Sequence, residues 1–198
     1  MPKVKVWTAE QLGAFLDAIA GQRLYALYHL AAFAGMRRGE LCGISWDDVD
    51  LDAGRIVVRW QITEKSYRAA RRAEKEGRRG RYRTKPKTRA GEDRVVDLDA
   101  VSVKVLREWR ETQDEERREW GRAYVKPIDE GGPLVFTRED GRPLDPGLTY
   151  STFIQLVREA GLSHLKLHGL RHMNISLQLE AGVSVPSSRC GSGTRHPR

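Results

Sequence analysis

Long apolar runs are missing from this chain of 198 residues. No stretch approaches the roughly 20 apolar residues that a membrane-spanning helix needs, so no membrane partner is expected. The N-terminus, Met1-Pro-Lys-Val-Lys-Val-Trp7, has no apolar core of the kind a secretory signal carries. Cysteine is scarce. Cys42 and Cys190 are the only two, and neither has metal-ligand spacing, which argues against a disulfide framework and for a cytoplasmic setting with free thiols. His164, His168 and His172 recur every four residues, but no acidic or cysteine ligand stands at a matching spacing. No metal is expected. Tyrosine is absent after Tyr150, so the 27 residues following Arg171 contain none.

Positive charge is present in excess. The net charge is +8, and the Lys65 to Arg94 segment holds 13 Lys and Arg against 4 Asp and Glu. That segment alone is +9, so the remainder nets about −1. A basic character confined to one segment points either to a solvated surface or to a polyanion such as nucleic acid. Hydrophobic residues make up 39% and charged residues 31%, which allows one globular core under a very polar surface.

Helix signals begin at Thr8-Ala9-Glu10-Gln11, a capping box, followed by Leu12, Phe15, Leu16 and Ile19 at helical spacing. A second helix is expected from Arg23 to Ala34, broken by Gly35, and a short third one from Arg37 to Cys42. The acidic stretch Asp47 to Asp52 reads as turns. Arg55 to Ile62 and Asp93 to Leu98 read as strands from their β-branched content. Between them, Ser66 to Gly80 reads as either a solvated helix or a flexible insertion, and Arg83 to Gly91 as a hairpin tip. Val101 to Trp120 is an amphipathic helix, 134–136 a short strand, Pro143 to Gly147 a loop and Tyr150 to Ala160 a helix. A last helix starts near His168 and is capped by Gly182. The fold class is α+β, mainly helical, with a small antiparallel sheet of about three strands.

Three short segments carry the chemistry. Gly35-Met-Arg-Arg-Gly-Glu-Leu41 offers two planar, always-charged guanidinium forks that match phosphate geometry, with Glu40 one turn on. Pro86-Lys-Thr-Arg-Ala-Gly91 places Lys87 on a turn, and His168-Gly-Leu-Arg171 puts a histidine and an arginine three apart, on one helix face. The order and spacing of these segments resemble the catalytic domain of the tyrosine recombinases, the phage-integrase family. The resemblance covers roughly Thr8 to Val185.

That resemblance implies a site-specific DNA recombinase. A tyrosine attacks a phosphodiester to give a 3′-phosphotyrosine link and a free 5′-hydroxyl, without metal or nucleotide cofactor. Carried over by motif, the catalytic residues are Arg37, Lys87 (with Lys85 as the alternative), His168 and Arg171. Glu40 is a structural support, and Arg38, Arg83, Lys85 and Arg89 are expected to contact DNA. The implied partners are double-stranded DNA and intact recombinase protomers, since the family acts as a tetramer on DNA.

Two departures accompany the likeness. The segment expected after the last helix, with its Leu-Gly-His pattern and its nucleophilic tyrosine, has no counterpart in the sequence. Only seven residues precede the first capping box, where the family has helical DNA-gripping domains. Residues 1–185 are therefore expected to form a partial catalytic domain and 186–198 a disordered basic tail, as a frameshift or early stop would leave. The expected function is DNA integration and recombination as part of a mobile element, with this chain missing the attacking group. The alternatives are a non-catalytic DNA-binding module or a non-functional gene fragment.

Overall fold

The computed structural model describes residues 7–86, 93–126, 131–171 and 173. Helix α1 (Ala9–Ala18) starts where the sequence places it. Thr8 Oγ1 accepts from Gln11 N at 3.2 Å and the Gln11 side chain accepts from Thr8 N at 3.0 Å, so two of the free N–H groups of the first turn are satisfied. Helix α2 (Tyr25–Phe33) is buried over nearly its whole length and ends at Gly35, whose φ of 56° places it in the left-handed region. The short α3 (Arg38–Gly43) follows at once.

The sheet has three antiparallel strands in the order β1 (Val49–Asp50), β2 (Arg55–Val58), β3 (Arg94–Asp97). Ile56 pairs with Val96, and both face the core. The sequence reading had three strands with the wrong third member. Residues 134–136 are buried but join no ladder among the described residues; Leu134 forms an isolated bridge with Ser45, and Thr137 one with Pro143. The true third strand lies in the acidic turn after Trp46.

The basic insertion is a helix, α4 (Glu64–Lys75), opened by Thr63, whose side chain accepts from Ser66 N at 3.1 Å. Its base is clamped. Gln61 and Thr84 exchange two backbone hydrogen bonds of 2.9 Å, and Ile62 N donates to Gly39 O at 2.8 Å. A methyl group on Gly43 would lie 2.6 Å from Gln61 Cα, so only glycine lets α3 rest directly on this backbone.

Helix α5 (Ala100–Trp120) is capped by Asp99, which accepts from Ser102 N at 2.7 Å. It buries Trp109 and Gln113 against the 134–137 segment, whose carbonyls of Leu134 and Val135 they satisfy. Helix α6 (Pro146–Glu159) begins four residues before the expected Tyr150. Asp145 caps it, and Pro146 at the first position needs no N–H partner. Residues 167–171 form a final helical turn.

An aromatic cluster seals the core. Phe15 and Phe153 meet edge to face at 5.4 Å between centroids, and Trp7 covers both, its Nε1 donating to Ser163 O at 2.9 Å. Among the described residues no helix is long and apolar enough to cross a membrane.

Candidate active site

Arg37 leaves the chain at the turn between α2 and α3 with half of its side chain exposed. Its partner is Glu40, one turn along α3 and almost fully buried (1% exposed). Glu40 Oε1 accepts from Arg37 Nη1 at 2.8 Å, and Oε2 accepts from Arg37 N at 2.9 Å. The carboxylate therefore holds both the backbone and the fork of Arg37. Burial of Glu40 strengthens both contacts, because its charge is poorly screened there.

Arg171, on the final helical turn, comes back to the same place. Its Nη1 donates to Gly35 O at 2.5 Å. Burial lowers the basicity of Arg171, the positive charges of Arg37 and Arg94 lower it further, and Glu40 opposes them. Three guanidinium groups thus share one neighbourhood. Arg94, the first residue of β3, is the third, and its Nη2 donates to Glu40 Oε2 at 2.8 Å. The sequence reading missed Arg94 because it took that residue only as the start of a strand. Pairing with Glu40, 54 positions earlier, leaves no local signal.

The other expected residues divide. His168 stands three residues before Arg171 on the same turn, with an exposed side chain. Arg38 donates to Glu64 at 2.8 Å and lies 5.5 Å over the Tyr150 ring, so it ties α3 to α4 and α6. Lys85 is exposed, its Nζ 4.2 Å from the Trp60 ring centroid, while its carbonyl accepts from Gln61 Nε2 at 3.0 Å. Lys87 and Arg89 lie outside the described residues.

Arg83 corrects the expectation of a DNA contact. It is 1% exposed, and its guanidinium donates to the carbonyls of Gly131 (2.7 Å) and Gly132. A methyl group on Gly131 would come within 2.7 Å of the guanidinium. The fork fills a slot made of backbone and cannot face a ligand in solution.

Two neighbouring guanidinium groups, one braced by a buried carboxylate and one half-buried, suit an oxyanion that gains charge. Donors aimed at developing charge in such a site are typically worth about 3 kcal/mol each.

The fold that carries this arrangement is the catalytic-domain fold of the tyrosine recombinases. It is shared with the XerA recombinase (TM-score 0.64, 21% identity, 92% of this chain and 53% of that one) and with the integrase of the transposon Tn1549 bound to transposon right-end DNA (TM-score 0.70, 23% identity, 93% and 56%). The chain belongs to the phage integrase family, whose model matches residues 5–187. Among curated relatives, a XerC-like tyrosine recombinase of Caldanaerobacter subterraneus subsp. tengcongensis is 29% identical over 186 residues, covering 92% of this chain and 45% of that one. The ICEBs1 integrase of Bacillus subtilis is 25% identical over 183 residues, covering 91% and 44%. The chain thus spans less than half the length of these relatives.

Proposed function

We propose that this chain is the phosphate-steadying part of a site-specific DNA recombinase, acting on duplex DNA in integration or excision of a mobile element. The observation that carries the reading is the Arg37–Glu40 pair set against Arg171. Glu40 locks one fork, the Gly35 carbonyl locks the other, and the charge available to a phosphate comes from both. In the proposed reaction, Arg37 and Arg171 neutralise the non-bridging oxygens as a tyrosine attacks. His168, exposed beside Arg171, donates to one of those oxygens. A lysine, Lys87 or the Lys85 that lies over the Trp60 ring, protonates the departing 5′-oxygen, help worth roughly 10²–10⁴-fold in rate. Tetrameric assembly and a cytoplasmic setting belong to the same proposal, as does the absence of any cofactor.

A second reading rests on the sequence after Arg171, which carries no tyrosine. In that reading the 198 residues bind DNA without cutting it. A nicked suicide substrate separates the two. On the strict form of the first reading, the 198 residues give no covalent adduct alone. They assist a tyrosine-bearing recombinase protomer, and Arg37→Ala removes the assistance. An adduct formed by the 198 residues alone would sink the assignment of the nucleophile to another chain or segment. Equal help from the wild type and Arg37→Ala favours the binding-only reading.

A further inference from the structure

We propose that Arg94 is a positioning residue of the phosphate site, acting through Glu40 on Arg37. This rests on the reading that Arg37 and Arg171 hold a DNA phosphate.

The argument begins with charge. Glu40 is nearly fully buried, and a buried carboxylate needs a cation. Were Arg37 its only partner, the pair would be close to neutral, and Arg171 would leave the site with one net positive charge. Arg94 changes this. It supplies a second guanidinium to Oε2, so two guanidinium groups hold the carboxylate and, with Arg171 nearby, the net charge is +2. A phosphodiester carries one negative charge. The five-coordinate arrangement reached during strand attack carries two. Arg94 thus allows Glu40 to hold Arg37 still without cancelling it.

Geometry agrees. The two guanidinium groups take different oxygens of the carboxylate, Arg37 Nη1 on Oε1 and Arg94 Nη2 on Oε2, each at 2.8 Å. With the Arg37 backbone N–H also on Oε2, the carboxylate has a donor on every side that fixes its plane. Arg94 itself is only 28% exposed, and its Nε is buried with no hydrogen-bond partner among the described residues. A buried donor left open is uncommon. The closeness of the three charges is also visible at Arg171, where Arg37 and Arg94 both oppose protonation.

The test uses the 198-residue chain with orthovanadate, an oxyanion that mimics phosphate, and titration calorimetry as the readout. Arg94→Met is expected to weaken vanadate about tenfold, with Arg94→Lys recovering part of the loss, while Arg37→Ala loses at least as much. The ¹⁵N signal of the Arg37 guanidinium should move in Arg94→Met and stay near its wild-type position in Arg94→Lys. In a Glu40→Gln background there is no carboxylate to hold, so adding Arg94→Met removes only its screened, longer-range charge and should change affinity by less than about threefold. That double variant also removes both charges of the buried pair, so it serves if Arg94→Met alone does not fold. Should wild type bind vanadate no better than Arg37→Ala, the phosphate reading falls and takes this inference with it. Vanadate binding that depends on Arg37 but not on Arg94, or a tenfold loss that persists with Gln at position 40, overturns the role of Arg94 alone.

Discussion

Arg171 Nη1 and the carbonyl of Gly35 meet at 2.5 Å, across 136 positions of sequence. Gly35 stands two residues before Arg37, in the left-handed region at φ 56°. The second arginine of the site therefore buttresses the turn from which the first one departs. Gly35→Ala should lower stability to urea by about 1 kcal/mol, because a Cβ crowds that conformation. It should also weaken vanadate binding. Gly13→Ala is the control. It lies in α1 with nothing within 4 Å of the added methyl, so it should stabilise by roughly 0.5–1 kcal/mol and leave binding unchanged. Equal effects of the two would refute the buttress.

Arg83 separates stability from DNA contact. Arg83→Met removes the donors to Gly131 and Gly132 and leaves those carbonyls without them. A loss of about 2–3 kcal/mol in chemical denaturation is expected, as for hydrogen bonds to a charged group. The salt dependence of binding to duplex DNA should stay as it was. A slope reduced by about one, the mark of a lost phosphate contact, would restore Arg83 to the DNA surface.

The exposed face of α4 should behave in the opposite way. Arg68 and Arg72 lie on it, paired among the described residues with Glu64 and Glu76 of the same helical segment, and Lys75 is exposed beside them. Changing all three to Gln should cost little stability, since exposed pairs of this spacing are worth about 0.3–0.5 kcal/mol each. If α4 tracks a DNA backbone, the slope of log affinity against log salt falls by about 0.9 for each contact removed. An unchanged slope would reduce α4 to a solvated strut.

His29 gives a pH dependence with a definite sign. It is buried between Tyr25 and Phe33, its Nε2 3.0 Å from Ser102 Oγ, which in turn faces Asp99. Burial lowers its pKa, and Asp99 only partly opposes that. Above the ordinary histidine range both folded and unfolded chains are neutral there, so nothing is lost. As pH falls below about 6.5, the unfolded chain takes the proton first, and stability drops until the folded pKa is passed. His29→Gln should flatten the part of the pH 7 to 5 stability profile that belongs to this residue. A difference profile without slope would refute it.

Much of the fold could be read from local signals. Thr8 and Gln11 announce α1, and Asp99 with Ser102 starts α5 within a residue of the expected place. Other boundaries needed a finer reading. Asp145-Pro146 is a helix start, but Pro143 to Gly147 looked like a loop because proline and glycine dominate it. Val49–Asp50 is too short and too acidic to signal a strand without its partner Arg55–Ile56. At the site, Arg37, Glu40 and Arg171 were legible because two short segments carry them. Arg83 and Arg94 were not. Sequence gives an arginine charge and reach, while burial against Gly131 or Glu40 is decided by chain far away.

The same separations set the order in which the site can come into being. Arg37 and Glu40 are three positions apart and can pair once a single helical turn forms. Arg94 joins across 54 positions and Arg171 closes across 136, so the entropy of loop closure falls on the last step. On a ribosome, residue 171 emerges well after residues 35–94, so Arg37, Glu40 and Arg94 can assemble before it arrives. A nascent chain would hold a braced but solitary arginine until then. Its grip on phosphate, and with it the risk of engaging DNA prematurely, would arrive only when Arg171 docks on Gly35.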